Sequence, residues 1–418
     1  MIKLEKLRKI GFSKLTPLED ALKKLFSHIH LNPIEEIEIN SALNRILAND
    51  IICEIDIPPF DRSAMDGYAI LAEDSFGASP KNPKSIKLIG ITEIGESSTL
   101  KLNKGEGIRI STGAPTPKGA DAVIKIEDTE IENNIINLYI SLPPGKNISK
   151  QGEDIKIGTQ VLDKGTELKA EHIALLTSLG FKNLEVRANT TVSIFSSGDE
   201  LLEPGNTLLP GKIYNSNTPM ISALVNLYGG EVIRGETVKD DKNVIKNRLV
   251  EAAEDSQIII FTGGTSVGTK DYLPEVITES GIVLTHGVAQ RPGAPVLIGL
   301  LSDTLIFCLP GTPVAAYVSF LKIAGLAIRN MMGCSILDPR SETIAEISRD
   351  VPVSGLGYIH YLRVIVEKSK NKFIAIPLKL KGSGVISSLT KSDGIVEIPP
   401  FKEGLRKGEK VIVKLFPR

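Results

Sequence analysis

The stretch "QIIIFTGGTSVGTKDY", residues 257–272, decides how the rest of the chain is read. Four apolar residues, Ile258 to Phe261, end abruptly in Thr262, Gly263 and Gly264, and Gly268 follows before Asp271. A short apolar run closed by glycines is the pattern of a buried strand opening into a turn. Adjacent glycines adopt positive φ at no steric cost, so main-chain N–H groups can converge on an anion, with Thr262, Thr265 and Ser266 adding hydroxyl donors. Spacing tests the familiar nucleotide motifs. Gly263 and Gly268 match the glycines of a P-loop, but Thr269-Lys270 stands in reverse of the required order, and no G-x-G-x-x-G fingerprint is present. Taken alone, the turn suits a ligand-free strand-to-helix connection as well as an anion cradle.

Outward from this turn, strands and helices alternate from about residue 191 to 332. Strands are expected at 191–195, 231–233, 258–261, 296–300 and 304–309. Helices are expected from Thr218-Pro219, read as N-cap and first-turn proline, to Gly229-Gly230, then over 241–253, and onward from Val314. This alternation predicts a mostly parallel, doubly wound sheet whose ligand lies beyond the C-terminal ends of its strands. The glycine turn sits at such an end, as do "SSGDELLEPG" (196–205), "KDD" (239–241) and "LPGTP" (309–313). Before this domain, "TPLEDALKKLFSHI" (16–29) carries a helical pattern, and 41–47 reads as a second helical piece capped by Asn40. Short β-branched runs with Gly and Pro between 55 and 158 predict a β-rich domain, and the tail from about 341 predicts a β-barrel. The domain boundaries expected are 1–55 with 155–188 as an extended linker and dimerisation region, 56–154 as the β-rich domain, 189–339 as the doubly wound domain, and 340–418 as the barrel.

A chain of 418 residues exceeds what one core usually supports, roughly 250 to 300 residues, so several domains are expected. With 49 basic and 50 acidic side chains there is no global field to favour nucleic acid or an anionic membrane. Three scattered cysteines, Cys53, Cys308 and Cys334, suggest neither a disulfide framework nor a zinc site, and with no secretory leader the expected location is the cytoplasm. The most apolar late segment, 314–332, carries Lys322 and Arg329 and reads as a buried helix rather than a membrane span. His172 and His286 read as structural or solvent-facing, and the histidines are too few and scattered for a histidine metal site.

Three further polar turns precede the doubly wound region. "PPFDRSAMDGYAI" (58–70) is the densest, with Asp61, Arg62, Ser63 and Asp66 around a turn permitted by Gly67. "RISTGAPTPKGADAV" (109–123) and "GKNISKQGEDIKIG" (145–158) place Thr112, Glu153 and Asp154 on glycine-flanked bends. These carboxylates are far in sequence from the glycine turn, so a joint site requires domain packing or a dimer partner. In the tail, Arg363 lies in a strand-like run, where an arginine is ordinarily a surface residue, and Ser383 sits between Gly382 and Gly384.

Taken together, "PPFDRSAMDGYA", "STGAPTPKGADAV", "GKNISKQGEDI", "SSGDELLEPG", "IYNSNTPM", "TGGTSVGTKDY", "RPGAP", "LPGTPVAAYVSF", "YLRV" and "GSGVISS" resemble, in colinear order, the molybdopterin molybdenumtransferase family of MoeA proteins and the gephyrin E domain. The resemblance implies a multidomain α/β protein: an extended linker region, a β-rich domain, a MogA-like doubly wound domain and a C-terminal β-barrel. It implies transfer of molybdate, or tungstate, to adenylylated molybdopterin with release of AMP. It also implies a homodimer with a shared active site, with a MogA-type adenylyltransferase and molybdenum-enzyme maturation proteins as further partners. Asp271 and Glu200 resemble the family's acidic residues at the nucleotide and magnesium end, with Asp66 and Asp154 as further catalytic carboxylates from the other subunit. Thr112, Ser197, Gly198, Asp240, Gly263, Gly264, Thr265, Ser266, Gly268, Pro310 and Pro313 match the substrate-binding turns. Arg291, Arg363 and Ser383 match the oxyanion pattern. Two departures stand out: the usual "KPGKP" reads "RPGAP", putting Ala294 in place of a lysine, and Thr312 stands where Asn is usual. An adenylyltransferase, which the doubly wound domain alone resembles, and a gephyrin-like scaffold are the alternative readings.

Overall fold

The computed structural model describes residues 15–95, 100–264, 272–378 and 382–417. Contacts divide the chain into two compact units, one of Met1–Asn49, Lys164–Lys169 and Asn183–Arg418, the other of Asp50–Asp163 and Ala170–Lys182. In the first, helix α1 (Leu18–Phe26) follows Pro17, buries Leu18, Ala21 and Leu25 at helical spacing, and carries Glu19 and Asp20 in its first turn and Lys23 and Lys24 in its last, complementing its dipole. The helix expected at 41–47 is absent. A single 3-10 turn, Ile39–Ser41, leads instead to the short strand Ile46–Leu47, because pairing with Asn183–Arg187 buries Ile46 and Leu47 on a sheet.

The second unit is built on a six-stranded sheet of β1 (Gly67–Ile70), β2 (Lys84–Thr92), β3 (Glu106–Ile110), β4 (Ala122–Lys125), β5 (Thr129–Glu132) and β6 (Ile135–Leu138) in the order β4-β1-β3-β2-β6-β5. Only β2 and β3 run parallel; the other pairs are antiparallel. Tyr68, Ile70, Ile86, Ile124, Ile136 and Leu138 fill one core face, while Ala69, Ile110 and Val123 pack with Ala114 and Ile148 on the other, the alternation a two-sided strand requires. Helix α2 (Ala170–Ser178) also belongs to this unit.

Back in the first unit, the doubly wound domain comprises β7 (Thr191–Ser197), α3 (Asn217–Leu227), β8 (Glu231–Val238), α4 (Lys242–Ala252), β9 (Ile258–Thr262), α5 (Leu273–Ser280), β10 (Ile282–His286), β11 (Leu297–Leu301), β12 (Thr304–Leu309) and α6 (Pro313–Ser319). The sheet order is β8-β7-β9-β12-β11-β10, with β8, β7, β9 and β12 parallel and β11 and β10 added antiparallel. Strand β10 was not anticipated, since "IVLTH" is too short and mixed to announce itself. The run "IIIF" shows why periodicity is lost here: Ile258 and Ile260 pack with α3 and α6, while Ile259 and Phe261 pack with α4 and α5. The expected Thr218 N-cap is corrected by the structure. Ser216 takes the cap position, helix α3 starts at Asn217, and the Thr218 hydroxyl bonds to Ser196 and Asn215.

After α6 the helix passes through a π-helical turn, Phe320–Ala324, into α7 (Gly325–Met331). The run Pro313–Met331 is long and apolar enough to cross a bilayer, but 83% of its apolar window is buried in this protein, as a core helix requires. The tail closes a five-stranded barrel from β13 (Glu342–Ile347), β14 (Ile359–Ser369), β15 (Lys372–Pro377), β16 (Gly394–Ile398) and β17 (Lys410–Leu415), in the order β14-β15-β13-β17-β16 with β16 returning to β14. Its interior holds Ala345, Ile347, Leu362, Val364, Ala375, Val396, Ile398 and Val413.

Candidate active site

Strands β7, β9 and β12 are parallel neighbours, so the turns after Ser197, Thr262 and Leu309 emerge side by side. Glycine lets them touch. At Gly263, with φ of 94°, a Cβ would lie 2.4 Å from the Ser197 carbonyl oxygen, and a Cβ on Gly311 would lie 3.3 Å from the Gly263 Cα. The Gly263 N–H donates to the Leu309 carbonyl at 3.1 Å, and Gly264 follows in the left-handed region at φ 61°. The Asn217 amide at the start of α3 donates to the Gly311 carbonyl at 2.8 Å.

Beneath this rim runs a hydroxyl ladder. Ser196 Oγ lies 2.8 Å from Thr262 Oγ1 and 2.7 Å from Thr218 Oγ1, and Asn215 Nδ2 donates to Thr218 Oγ1 at 2.9 Å and Thr237 Oγ1 at 2.8 Å. Buried polar groups satisfied in this way fix a single arrangement of the turns above them. At the adjoining end of β8, Ser197 Oγ donates to Asp240, while Asp241 caps α4 by accepting from the Asn243 and Val244 amides at 2.9 and 3.0 Å. Glu200 is exposed, its carboxylate turned back so that Oε2 would lie 2.7 Å from a Cβ on Gly198. The structure thus gathers Ser197, Gly198, Asp240, Gly263, Gly264, Pro310 and Pro313 at one rim. Thr265, Ser266, Gly268 and Asp271 lie outside the described residues. Asn215, Asn217 and Thr218 were not picked out from sequence as site residues, although their motif "IYNSNTPM" was visible.

The barrel adjoins the same domain. The Val314 N–H in the first turn of α6 donates to the Ser383 carbonyl at 3.1 Å, which brings the "GSG" and "LPGTP" turns together. The pair Gln290–Arg291 adds in parallel to β14, Arg291 opposite His360 and thus three positions before Arg363. Arg291 Nη1 donates to Ser354 Oγ at 2.9 Å, and its guanidinium stacks 3.9 Å from the Tyr358 ring centroid. Arg363 is not the surface residue expected of a strand arginine: only 3% of it is exposed, and burial pulls its pKa down. Leu362 and Val364 take the barrel interior, so alternation turns Arg363 to the outer face of β14, the side on which Tyr361 and its own cross-strand partner Ile395 join the core of the doubly wound domain.

In the second unit, Ser63 gathers three motifs. Its N–H donates to the Ala114 carbonyl at 3.0 Å, its carbonyl accepts from Gly113 at 2.7 Å, and it pairs with Ile148. Asp66 Oδ1 accepts from the Thr112 N–H at 2.7 Å and its hydroxyl at 3.0 Å, and these two bonds, the amide foremost, hold the carboxyl below its ordinary pKa. The following Gly67 is obligatory, since a Cβ would sit 1.9 Å from the Ile124 carbonyl oxygen. Asp61 accepts from Lys150 Nζ at 2.7 Å and the Gln151 N–H at 2.8 Å, and Asp154 is exposed on the same 145–158 segment. Among the described residues no three His, Cys, Asp or Glu side chains converge to hold a metal.

Three family models cover the chain in order: the MoeA N-terminal region (domain I and II) matches residues 16–180, the probable molybdopterin binding domain 193–329, and the MoeA C-terminal region (domain IV) 352–416. A putative molybdopterin biosynthesis protein of Methanocaldococcus jannaschii is 38% identical over 100% of this chain and 98% of its own length. A molybdopterin molybdenumtransferase of Staphylococcus epidermidis is 33% identical over 97% of each. The crystal structure of a molybdopterin biosynthesis MoeA protein from Pyrococcus horikoshii superposes with a TM-score of 0.83 at 34% identity, covering 96% of this chain and 100% of its own. Similarity that runs the full length of these proteins takes in the rim, the 58–158 turns and the barrel alike, and the chain belongs to the MoeA family of molybdopterin molybdenumtransferases, transferases of molybdenum cofactor biosynthesis.

Proposed function

We propose that this protein inserts molybdate into adenylylated molybdopterin with release of AMP, at a site shared across a homodimer in the cytoplasm. The observation that carries this reading is the meeting of the Ser197, Gly263 and Gly311 turns through their main chains at the C-terminal ends of β7, β9 and β12, where an open α/β sheet binds its ligand. Gly263, Gly264, Thr265, Ser266 and Gly268 hold the phosphates, Ser197 and Asp240 border them, and Pro310 and Pro313 shape the wall. Arg291, Arg363 and Ser383 take the oxyanion, arginine's planar fork being suited to it. Asp66, Thr112 and Asp154 of one subunit complete the rim of the other. Glu200 and Asp271 would hold magnesium, a hard cation that takes one or two carboxylates and keeps several of its waters. When bound, the ion neutralises phosphate charge.

Adenylyltransferase activity alone is disfavoured because the matches extend on both sides of the doubly wound domain, and nothing in the retained rim is needed by a scaffold. Three free, buried thiols suit a reducing compartment. A MogA-type adenylyltransferase would supply the substrate, and maturation proteins of molybdenum enzymes would receive the product. The test is a single turnover of adenylylated molybdopterin with molybdate or tungstate, with and without Mg2+, following AMP. Oxyanion- and Mg2+-dependent AMP release is expected; consumption of ATP with molybdopterin instead would install the adenylyltransferase reading. Mixing inactive Asp66→Ala and Asp271→Ala subunits should restore activity in exchanged dimers, and failure to do so would remove the shared site.

A further inference from the structure

Lys322 is a buried cation that the reading above does not use. It lies in the π-helical turn Phe320–Ala324, all five residues of which are buried, and its side chain is only 7% exposed. A π turn interrupts helical register and redirects the side chains it carries, and such turns concentrate at functional positions. Here it turns Lys322 toward the barrel. Its Nζ pairs with Glu397 of β16, lies 3.8 Å from Asp338, and sits 5.7 Å from the centroid of the Tyr361 ring on β14. Arg340, its side chain wholly buried, clasps Asp338 through two bonds of 2.8 and 2.7 Å, and Lys414 of β17 reaches Asp338 at 3.2 Å, Glu342 at 3.5 Å and Glu397 at 4.0 Å. Burial alone would raise the Asp338 pKa, but the Arg340 bond and the surrounding cations hold it well below the carboxylate range. One charged network therefore joins the π turn, the 338–340 connection and three barrel strands, β13, β16 and β17.

The register of the barrel gives this network a consequence. Glu397 pairs with Tyr361, and Arg363 pairs with Ile395 two residues along the same β14–β16 ladder, about 7 Å away. The first turn of the same helix bonds to Ser383 through Val314. A single helix thus touches both barrel segments that bear the oxyanion residues, at its start and at its π turn. We propose that Lys322 is a positioning residue for molybdate insertion, its ion pairs seating the β14–β16 ladder so that Arg363 and Ser383 keep fixed register with the 309–313 turn. This rests on the barrel's assignment to the oxyanion.

The experiment uses the full-length protein and titrates molybdate while following AMP release from adenylylated molybdopterin. Since a displacement of about 1 Å costs on the order of a hundredfold in a well-placed site, Lys322→Met should raise the half-saturating molybdate concentration at least about tenfold. Binding of adenylylated molybdopterin should stay within about twofold, kcat at saturating molybdate should fall less than the half-saturating concentration rises, and Lys322→Arg should restore most of the loss. Hydrogen exchange in β14 and β16 should rise in Lys322→Met alone. If Lys322→Met does not fold, Glu397→Gln, which leaves Lys322 a neutral acceptor, is read by the same criterion. A folded variant whose molybdate requirement is unchanged overturns the role of Lys322, provided Arg363→Ala raises that requirement. If Arg363→Ala leaves it unchanged too, the oxyanion assignment of the barrel fails and the positioning role falls with it.

Discussion

Replacing Gly263 with alanine isolates the contact that builds the rim. Gly263 has φ of 94°, beyond the left-handed basin that L-residues tolerate, and holding alanine there costs on the order of 1–3 kcal/mol. The added Cβ meets the Ser197 carbonyl oxygen at 2.4 Å, and because that oxygen is main chain in β7 no rotamer change relieves it. Separating the two strand ends strains the bond from Gly263 N–H to Leu309, worth roughly 1 kcal/mol. With about 1 kcal/mol more for the backbone shift that relieves the clash, the sum is about 3–5 kcal/mol. Gly264→Ala is the internal control: its φ of 61° lies in the left-handed basin, and its nearest neighbour is the movable Leu273 Cδ1 at 3.0 Å, so about 1 kcal/mol is expected. The chain has no tryptophan, so differential calorimetry with hydrogen exchange of β7, β9 and β12 is the suitable assay. At roughly 2 °C per kcal/mol for a large domain, Gly263→Ala should lower the transition of this unit by about 6–10 °C and Gly264→Ala by about 2 °C. AMP affinity should fall in the same order. Equal shifts would refute the claim that main-chain contact between the turns, rather than conformational freedom alone, demands glycine at 263.

Other outcomes follow from the same geometry. Thr112→Val removes the hydroxyl bond to Asp66 but keeps the stronger amide bond, so a carboxyl NMR titration should show the Asp66 pKa rising only part of the way to its ordinary 3.8. Because the folded value lies below the unfolded one, the stabilisation Asp66 contributes is full above that ordinary value and is lost as pH falls through the folded value; an acid unfolding midpoint that moves down in Thr112→Val would contradict this. Thr218→Val takes the central hydroxyl out of the ladder between Ser196 and Asn215 and should destabilise by about 1–3 kcal/mol, measured by denaturation, with weaker AMP binding; a neutral effect would mean the ladder does not support the rim. Ala294 is held by its carbonyl, which accepts from Val288 and Val296 at 2.9 Å each, so Ala294→Lys should leave the backbone intact and lower the molybdate concentration needed for half-maximal AMP release. An unchanged titration would show that a cation at position 294 adds nothing to oxyanion binding here.

Much of the doubly wound domain was legible because β7, β9 and β12 are buried on both faces and end in glycine turns, a pattern carried by neighbouring residues alone. Strand β12 falls on the residues expected of it, and α4 lies within the run 241–253 expected to be helical, with Asp241 as its cap rather than its first turn. Strand β10 was hidden because an antiparallel strand near a sheet edge takes its identity from its partner, β11. The helix expected at 41–47 failed for the same reason: apolar spacing favoured a helix, while pairing with Asn183–Arg187, some 140 residues away, made 46–47 a strand.

The sequence by itself determined the order of elements, the family resemblance and the presence of polar turns at strand ends, since each depends on short-range periodicity and on residues that permit or forbid a backbone conformation. Only the tertiary structure decided which of those turns meet. Nothing local to Ser63 announces that it joins segments near 113 and 147, and nothing local to Arg363 announces that the outer face of its barrel strand is buried. Likewise Asn217 reaches Gly311 and Lys322 reaches Glu397 across gaps of 94 and 75 residues. Hydrogen bonds and ion pairs act over a few ångströms of space whatever the separation along the chain, so their partners are fixed by packing and not by spacing.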